Sequence, residues 1–168
     1  DFFADVILLA TGAQPRELAS AVPDGERILT WKQLYALEEL PTKLVVVGSG
    51  VTGAELAHAY LALGCQVALV SSRDQVLPGE DSDAARVIED VFRRRGMEVL
   101  SRSRAASVTR TADGVSVALE DGRVVTGSHA LMAVGSVPRT SGLGLADVGV
   151  SVSSGGYVDV DGVSRTTA

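Results

Sequence analysis

Gly48, Gly50 and Gly53, spaced as Gly-x-Gly-x-x-Gly, follow the apolar run Leu44-Val45-Val46-Val47 and lead into a helix-competent stretch over residues 54–63. Residues of this type at this spacing can hold a diphosphate with main chain alone. Gly48 permits a tight turn off a strand, Gly50 lets the backbone approach a pyrophosphate with no Cβ between them, and Gly53 lets the helix lie close to the sheet. The helix N-terminus adds free N–H groups and partial positive charge. The candidate cofactor-binding residues of this turn are Gly48, Ser49, Gly50, Val51, Thr52 and Gly53. Glycines also serve ordinary turns, so the reading depends on context: a strand before, a helix after, and a second strand expected at residues 66–70.

The end of that second strand is the next place where residue type matters. An acid there holds the ribose hydroxyls of NAD, whereas NADP requires groups that accept a phosphate. By register the position is Ser71, followed by Ser72 and Arg73. Two hydroxyl donors and a planar guanidinium offer charge-assisted hydrogen bonds to a 2′-phosphate. The chemistry therefore favours NADPH over NADH. Asp74 is close enough to cap the turn or to reach the ribose, so dual use stays open.

Bulk composition narrows the class. The 168 residues fit about one domain's worth of chain, and 46% hydrophobic content supports a folded globular core. A net charge of −6, from 15 bases against 21 acids with no long basic block, argues against a nucleic-acid surface. The single cysteine, Cys65, cannot form an internal disulfide, which makes a reducing cytoplasm the default setting. No apolar stretch reaches the roughly eighteen residues that a membrane span needs. The chain opens without an initiator methionine and stops on Ser164-Arg165-Thr166-Thr167-Ala168, so it reads as a piece of something longer.

The elements that must position the glycine turn follow from pattern. Residues 5–10, continuously apolar after Asp5, end at Thr11-Gly12, which predicts a buried strand. Thr30 with Gln33 predicts a capping box for a short helix running to about Leu40, closed by Pro41. After the glycine turn and its helix, Gly64 is the expected C′ residue before the strand at 66–70. Ser82 or Asp83 is expected to cap a helix over 84–95, with Val87, Ile88, Val91 and Phe92 at helical spacing. A third parallel strand is expected at 98–100. Alternation then predicts strands at 106–110, 115–119 and 123–126, separated by Asp113-Gly114 and Asp121-Gly122, a strong hairpin signal. A last apolar strand is expected at 130–134, ending at Gly135. The fold class is α/β: a Rossmann-like βαβαβ parallel sheet with a three-stranded antiparallel meander.

One internal similarity remains. Leu8-Leu-Ala-Thr-Gly-Ala-Gln-Pro-Arg16 and Leu131-Met-Ala-Val-Gly-Ser-Val-Pro-Arg139 share LxAxGxxPR, each copy ending an apolar run on a glycine. Coincidence of strand-turn chemistry is one reading; two equivalent chain crossings, with a domain inserted between them, is the favoured one. With Ala10-Thr11-Gly12, the GxGxxGxE run from Gly48 to Glu55, Leu77-Pro78, the Val134-Gly135 to Leu145 stretch and Gly156-Tyr157-Val158-Asp159, the whole chain resembles the pyridine nucleotide-disulfide oxidoreductases. These are two-dinucleotide-binding flavoproteins such as dihydrolipoyl dehydrogenase and glutathione reductase.

The resemblance implies a domain plan: 1–16 as the end of an FAD-domain segment, 17–136 as the NAD(P)-binding domain, and 137–168 as the return to the FAD domain. It implies NAD(P)H and FAD as cofactors, the FAD domain of the same polypeptide as partner, and a homodimer. It implies that Glu55 resembles the glutamate lying near the nicotinamide and flavin edge; a first-turn acid favouring the helix dipole is the alternative. Thr11, Gly12 and Gly135 would approach the flavin side if the crossings hold, or would simply terminate strands. Family members that select NADP carry arginines at the positions of Ser72 and Pro78, so this loop departs from that pattern. The expected function is transfer of hydride from NAD(P)H to flavin and on to a disulfide, quinone or similar acceptor. The alternative is a ligand-sensing Rossmann module without catalysis, which would be colourless where a flavoenzyme is yellow. Cys65, His58 and His129 do not take the family's redox or proton-relay roles, and no metal-ligand spacing is present.

Arg73→Ala is expected to weaken NADPH binding by roughly ten- to a hundred-fold, the loss of one charged contact at about 1.5–3 kcal/mol. NADH binding should barely change, and a titration showing equal losses for both nucleotides removes the phosphate role from Arg73.

Overall fold

A computed structural model of the chain describes residues 4–168; of the expected opening segment 1–16, Asp1, Phe2 and Phe3 lie outside the described residues. The elements in chain order are β1 (Ala13–Pro15), β2 (Ile28–Leu29), α1 (Trp31–Leu34), β3 (Lys43–Val47), α2 (Val51–Ala62), β4 (Gln66–Val70) and α3 (Ser82–Arg94). They continue with β5 (Glu98–Leu100), β6 (Ala105–Arg110), β7 (Val115–Leu119), β8 (Val124–Gly127), β9 (His129–Met132) and β10 (Ser136–Pro138). The chain forms two compact units, one spanning Pro15–Gly135 and the other joining the segment that ends at Gln14 with Ser136–Ala168.

The larger unit is built on a five-stranded parallel sheet in the order β2-β9-β3-β4-β5. Leu44, Val45, Val46 and Val47 are all buried because both faces of the sheet are covered. Alternation sends Leu44, Val46 and Leu69 into one core with Leu56, Ala57 and Phe92 of the helices. Val45, Val47 and Val70 enter a second core with Val108, Val117 and Val125 of the meander β6-β7-β8. The result is three layers: helices, parallel sheet, antiparallel meander. The expected α/β class, with its βαβαβ run and meander, is the observed one.

Several boundaries move. Thr30 and Gln33 form the capping box, but α1 stops at Leu34 instead of reaching Leu40. The i→i−3 bonds from Ala36 to Gln33 and from Leu37 to Leu34 tighten its exit. Glu38 and Glu39 would oppose the dipole of a longer helix, and Pro41 disfavours helical geometry at Leu40. Helix α2 begins at Val51, with Gly50 as its N-cap, so Gly53 lies inside the helix. Helix α3 begins at Ser82 and is capped by Asp81, whose carboxylate accepts from the Asp83 and Ala84 amides. The strand expected at residues 5–10 is absent: Val6 and Leu8 are 84% and 87% exposed, and a β run becomes a strand only beside a partner, of which it has none among the described residues.

The second unit contains the 3₁₀ turn Ala146–Val148, a bridge between Val152 and Val158, and a hydrogen bond from the Thr140 hydroxyl to the Gly156 carbonyl (2.6 Å). Strands β1 and β10 pair with each other. Arg16 N–H donates to the Gly135 carbonyl and Arg139 N–H to the Gly12 carbonyl, both at 3.0 Å. The two LxAxGxxPR copies are thus equivalent in their Gly-x-x-Pro-Arg halves. Their apolar halves differ, since Leu131 is fully buried and Leu8 is exposed.

Two contacts in the larger unit lead to measurements. A Cβ at Gly53 would collide with the Gly48 carbonyl oxygen, whereas one at Gly50 meets nothing within 4 Å. Gly53→Ala should lower the unfolding free energy by about 2 kcal/mol or more, and Gly50→Ala by under about 1 kcal/mol, as read from urea titrations. Where the parallel strands begin, the Ser128 hydroxyl donates to the Lys43 carbonyl and so receives from His129 Nδ1 (3.1 Å), which leaves Nε2 to face Arg27 Nη1 (3.4 Å). Burial, then the Arg27 charge, push the His129 pKa below its ordinary 6.5, against a smaller opposing effect of Asp24. The unfolded chain takes up this proton first, so the contribution is complete above 6.5 and is lost as pH falls below it toward the depressed folded value. His129→Gln should flatten the decline of the urea midpoint between about pH 7 and pH 5; an unchanged slope would mean that His129 does not carry it.

Candidate functional site

The glycine turn sits at the C-terminal end of β3, between β9 on one side and β4 on the other, the switch point where open α/β sheets bind ligands. Gly48 takes φ +109°, and a Cβ there would strike the Ala133 carbonyl oxygen, so the end of β9 fixes the turn from behind. Gly48 N–H donates to the Val70 carbonyl (2.9 Å). Gly50 is exposed and extended, and no side chain caps the helix behind it. The first helical bond runs from Ala54 N–H to the Gly50 carbonyl (2.9 Å), so the amides of Val51, Thr52 and Gly53 have no partner within the helix. Val51 and Thr52 are exposed. A twelve-residue helix thus presents unsatisfied donors and the positive end of its dipole at an opening with room for a group beside Gly50.

Beside this turn lies a cleft of about 260 Å³, lined by Gly48, Ser72, Arg104, Val108, Met132 and Val134 among others. Valines and Met132, with four serines and Arg104, give it apolar and hydrogen-bonding surface in near-equal measure, which suits a flat heterocycle with a polar edge.

The structure divides the Ser71-Ser72-Arg73 trio. Ser72 lines the cleft and Arg73 is exposed. Ser71 is fully buried: its hydroxyl lies 2.6 Å from that of Ser49 and takes the Arg73 amide at 3.1 Å. It therefore ties the glycine turn to the loop after β4 and does not itself line the cleft. The cause is that the β4–β5 ladder continues past the strand ends, with Ser71 N–H donating to Leu100 and Ser103 N–H donating to Ser71. That pairing turns the Ser71 side chain inward.

The loop from 71 to 81 is further anchored by Leu77, at φ +54°, whose N–H donates to the Ser49 carbonyl (2.8 Å). Glu89 of α3 accepts from the Val76 amide (3.2 Å), the Ser101 hydroxyl (3.3 Å) and the Arg93 guanidinium (2.7 Å). Burial alone would raise its pKa, but the hydrogen bonds from Arg93 and Val76, the Arg93 charge and the Ser101 contact outweigh it and hold the carboxyl below its usual range. Glu89, Arg102 and Arg104 were missed from sequence; the alternating Ser101-Arg102-Ser103-Arg104 stretch was the signal that could have found the last two.

Glu55 is exposed on α2, in the turn that follows the open amides. Thr11 and Gly12, in the second unit, are exposed, and Gly12 takes φ +72°. Gly135, at the end of the larger unit, is exposed with φ +101°. His58 is held by Arg95 (2.7 Å) and stacks on Phe92, a tether between α2 and α3. Cys65 is buried, and burial pushes its thiol pKa up, the reverse of an activated thiolate. Among the described residues no helix is long and apolar enough to cross a membrane.

Comparison with known proteins agrees with this geometry. The chain is 62% identical over 165 residues to NAD(P)H dehydrogenase (quinone) of Mycobacterium tuberculosis (strain ATCC 25618 / H37Rv), covering 98% of the chain and 34% of that protein. It is 38% identical over 164 residues to a dihydrolipoyl dehydrogenase of Bacillus subtilis (strain 168), covering 97% of the chain and 36% of that protein. The crystal structure of LpdA from Mycobacterium tuberculosis superposes with a TM-score of 0.89 at 62% identity, over 98% of this chain and 36% of that one. The chain therefore spans about a third of the length of the curated relatives it matches. The family model for pyridine nucleotide-disulphide oxidoreductases matches residues 1–168, and with these likenesses it shows that the chain belongs to that family.

Proposed function

We propose that this chain supplies the NAD(P)H-binding part of an FAD-dependent oxidoreductase, in which hydride passes from the nicotinamide to flavin and on to a quinone, disulfide or similar acceptor. One observation carries the reading: the uncapped N-terminus of α2 opens behind Gly50, where a Cβ-free cradle adjoins a cleft sized for an adenosine. The residues present fit the nucleotide. The turn from Gly48 to Gly53, with Ser49, Val51 and Thr52, holds the diphosphate through backbone amides and the helix dipole. Gly48 and the cleft wall exclude water from the adenosine. Ser72 and Arg73 take the ribose end, with NADPH favoured over NADH. Ser71 acts through these neighbours by fixing the loop.

When bound, the nicotinamide supplies the hydride and the flavin the two-electron store; the chain's residues position and electrostatically bias them. Glu55 lies one turn along α2 from the open amides, which supports a place at the nicotinamide edge. Thr11, Gly12 and Gly135 are assigned to the flavin side on the family resemblance. So are the domain plan of 1–16, 17–136 and 137–168, the FAD domain of the same polypeptide as partner, and a homodimer. A cytoplasmic setting is supported by the lone buried Cys65. The 62% identity to a protein named NAD(P)H dehydrogenase (quinone) favours a quinone as acceptor.

The test is anaerobic stopped-flow reduction of the flavin in the full-length protein. NADPH or NADH should bleach it, and Gly50→Ala should raise the nucleotide concentration for half-maximal rate about ten-fold or more, about 1.4 kcal/mol, with flavin content unchanged. A full-length protein that retains no flavin, or whose flavin neither nucleotide reduces, overturns the proposal.

A further inference from the structure

We propose that Arg102 is the second cation of the adenosine 2′-phosphate site, completing from a different loop the pair that Arg73 begins. The inference rests on the nucleotide-binding reading of the preceding subsection and specifies its phosphate chemistry.

Arg102 follows β5, nearly thirty residues beyond Arg73 in the chain, yet its N–H donates to the Arg73 carbonyl at 2.8 Å. Ser103 N–H donates to the Ser71 carbonyl at 2.7 Å and Ser71 N–H to the Leu100 carbonyl at 2.9 Å. Three backbone bonds thus lace the two loops into one edge. Glu89 fastens the same two loops from α3, through the Val76 amide on one side and the Ser101 hydroxyl on the other. Ser72, which lies between Ser71 and Arg73 in the chain, lines that cleft.

The backbone at Arg102 takes φ +52°, a conformation that glycine or asparagine adopts far more readily than arginine. A long cation at a place that favours a small residue calls for a reason beyond the turn. Its side chain is 82% exposed and, among the described residues, its one ion pair is with Asp74, itself 88% exposed, at 3.9 Å. An ion pair so long and so hydrated holds neither side chain firmly. Arg73 is exposed and makes no ion pair with an acid among the described residues. Two exposed arginines stand on hydrogen-bonded neighbours, and the carboxylate that meets Arg102 is loosely held, in a chain whose overall charge is −6. The local surplus of positive charge suits a phosphate monoester, which carries about two negative charges and accepts planar guanidinium hydrogen bonds. Asp74 serves as the counter-ion that the phosphate replaces.

The test uses the full-length flavoprotein and two nucleotide fragments, adenosine 2′,5′-bisphosphate and AMP, followed by calorimetry. Arg102→Gly removes the guanidinium while fitting the backbone, so the fold is not at risk from φ. It should weaken the bisphosphate about ten-fold or more and leave AMP unchanged; Arg102→Lys should recover part of the loss. Unchanged bisphosphate affinity in Arg102→Gly, or equal losses for both fragments, overturns the role of Arg102 while the nucleotide site stands. If the unmodified protein binds neither fragment, the nucleotide-binding reading fails first and takes this proposal with it.

Discussion

A Cβ has no room at Gly53 in α2, against the carbonyl of Gly48 at the end of β3, nor at Gly48 itself, against the Ala133 carbonyl that follows β9. Each contact leaves no space for a side chain. Together they fix how near α2 lies to the sheet and where its first turn points, so the direction of its open amides is set by steric exclusion. The apolar contacts of Leu56, Ala57 and Tyr60 with the sheet then follow from that distance. The Tyr60 hydroxyl, bonded to the Leu34 carbonyl at 3.0 Å, carries the same constraint outward to α1.

A second feature is the way polar atoms join loops that strands alone would leave apart. Ser49 and Ser71 meet in the interior through a short hydroxyl pair, and Leu77 returns to the Ser49 carbonyl. Glu89, shielded and multiply bonded, does for the outer rim what the serines do for the inner one. Among the described residues no buried side-chain nitrogen or oxygen lacks a partner, so this wiring is complete without a ligand.

Much of this was legible from residue order. The run from Leu44 to Val70 combines uninterrupted apolar strands with a glycine-spaced turn, and each local preference points to the same arrangement. Asp113-Gly114 and Asp121-Gly122 marked the meander, and the glycines are needed there: Gly122 takes φ +87° and a Cβ at Gly114 would strike the Gly127 carbonyl oxygen. Other parts were hidden for physical reasons. A two-residue strand such as β2 has no period to detect, and the prolines in β1 and β10 argue against strands in any local reading. The burial of Ser71 is not legible locally, since its backbone is paired with Ser103, more than thirty residues away. Arg102 was invisible for the same reason.

Helix α2 is left without the side-chain cap that α1 and α3 both possess. Serine, threonine or aspartate at Gly50 would satisfy one of those amides internally, but it would also fill the space they open into. The protein thus forgoes a modest part of its own helix stability, which a diphosphate would restore in the proposed complex. In the proposed complex, the coenzyme is a detachable piece of secondary structure, and occupancy and resistance to unfolding rise together.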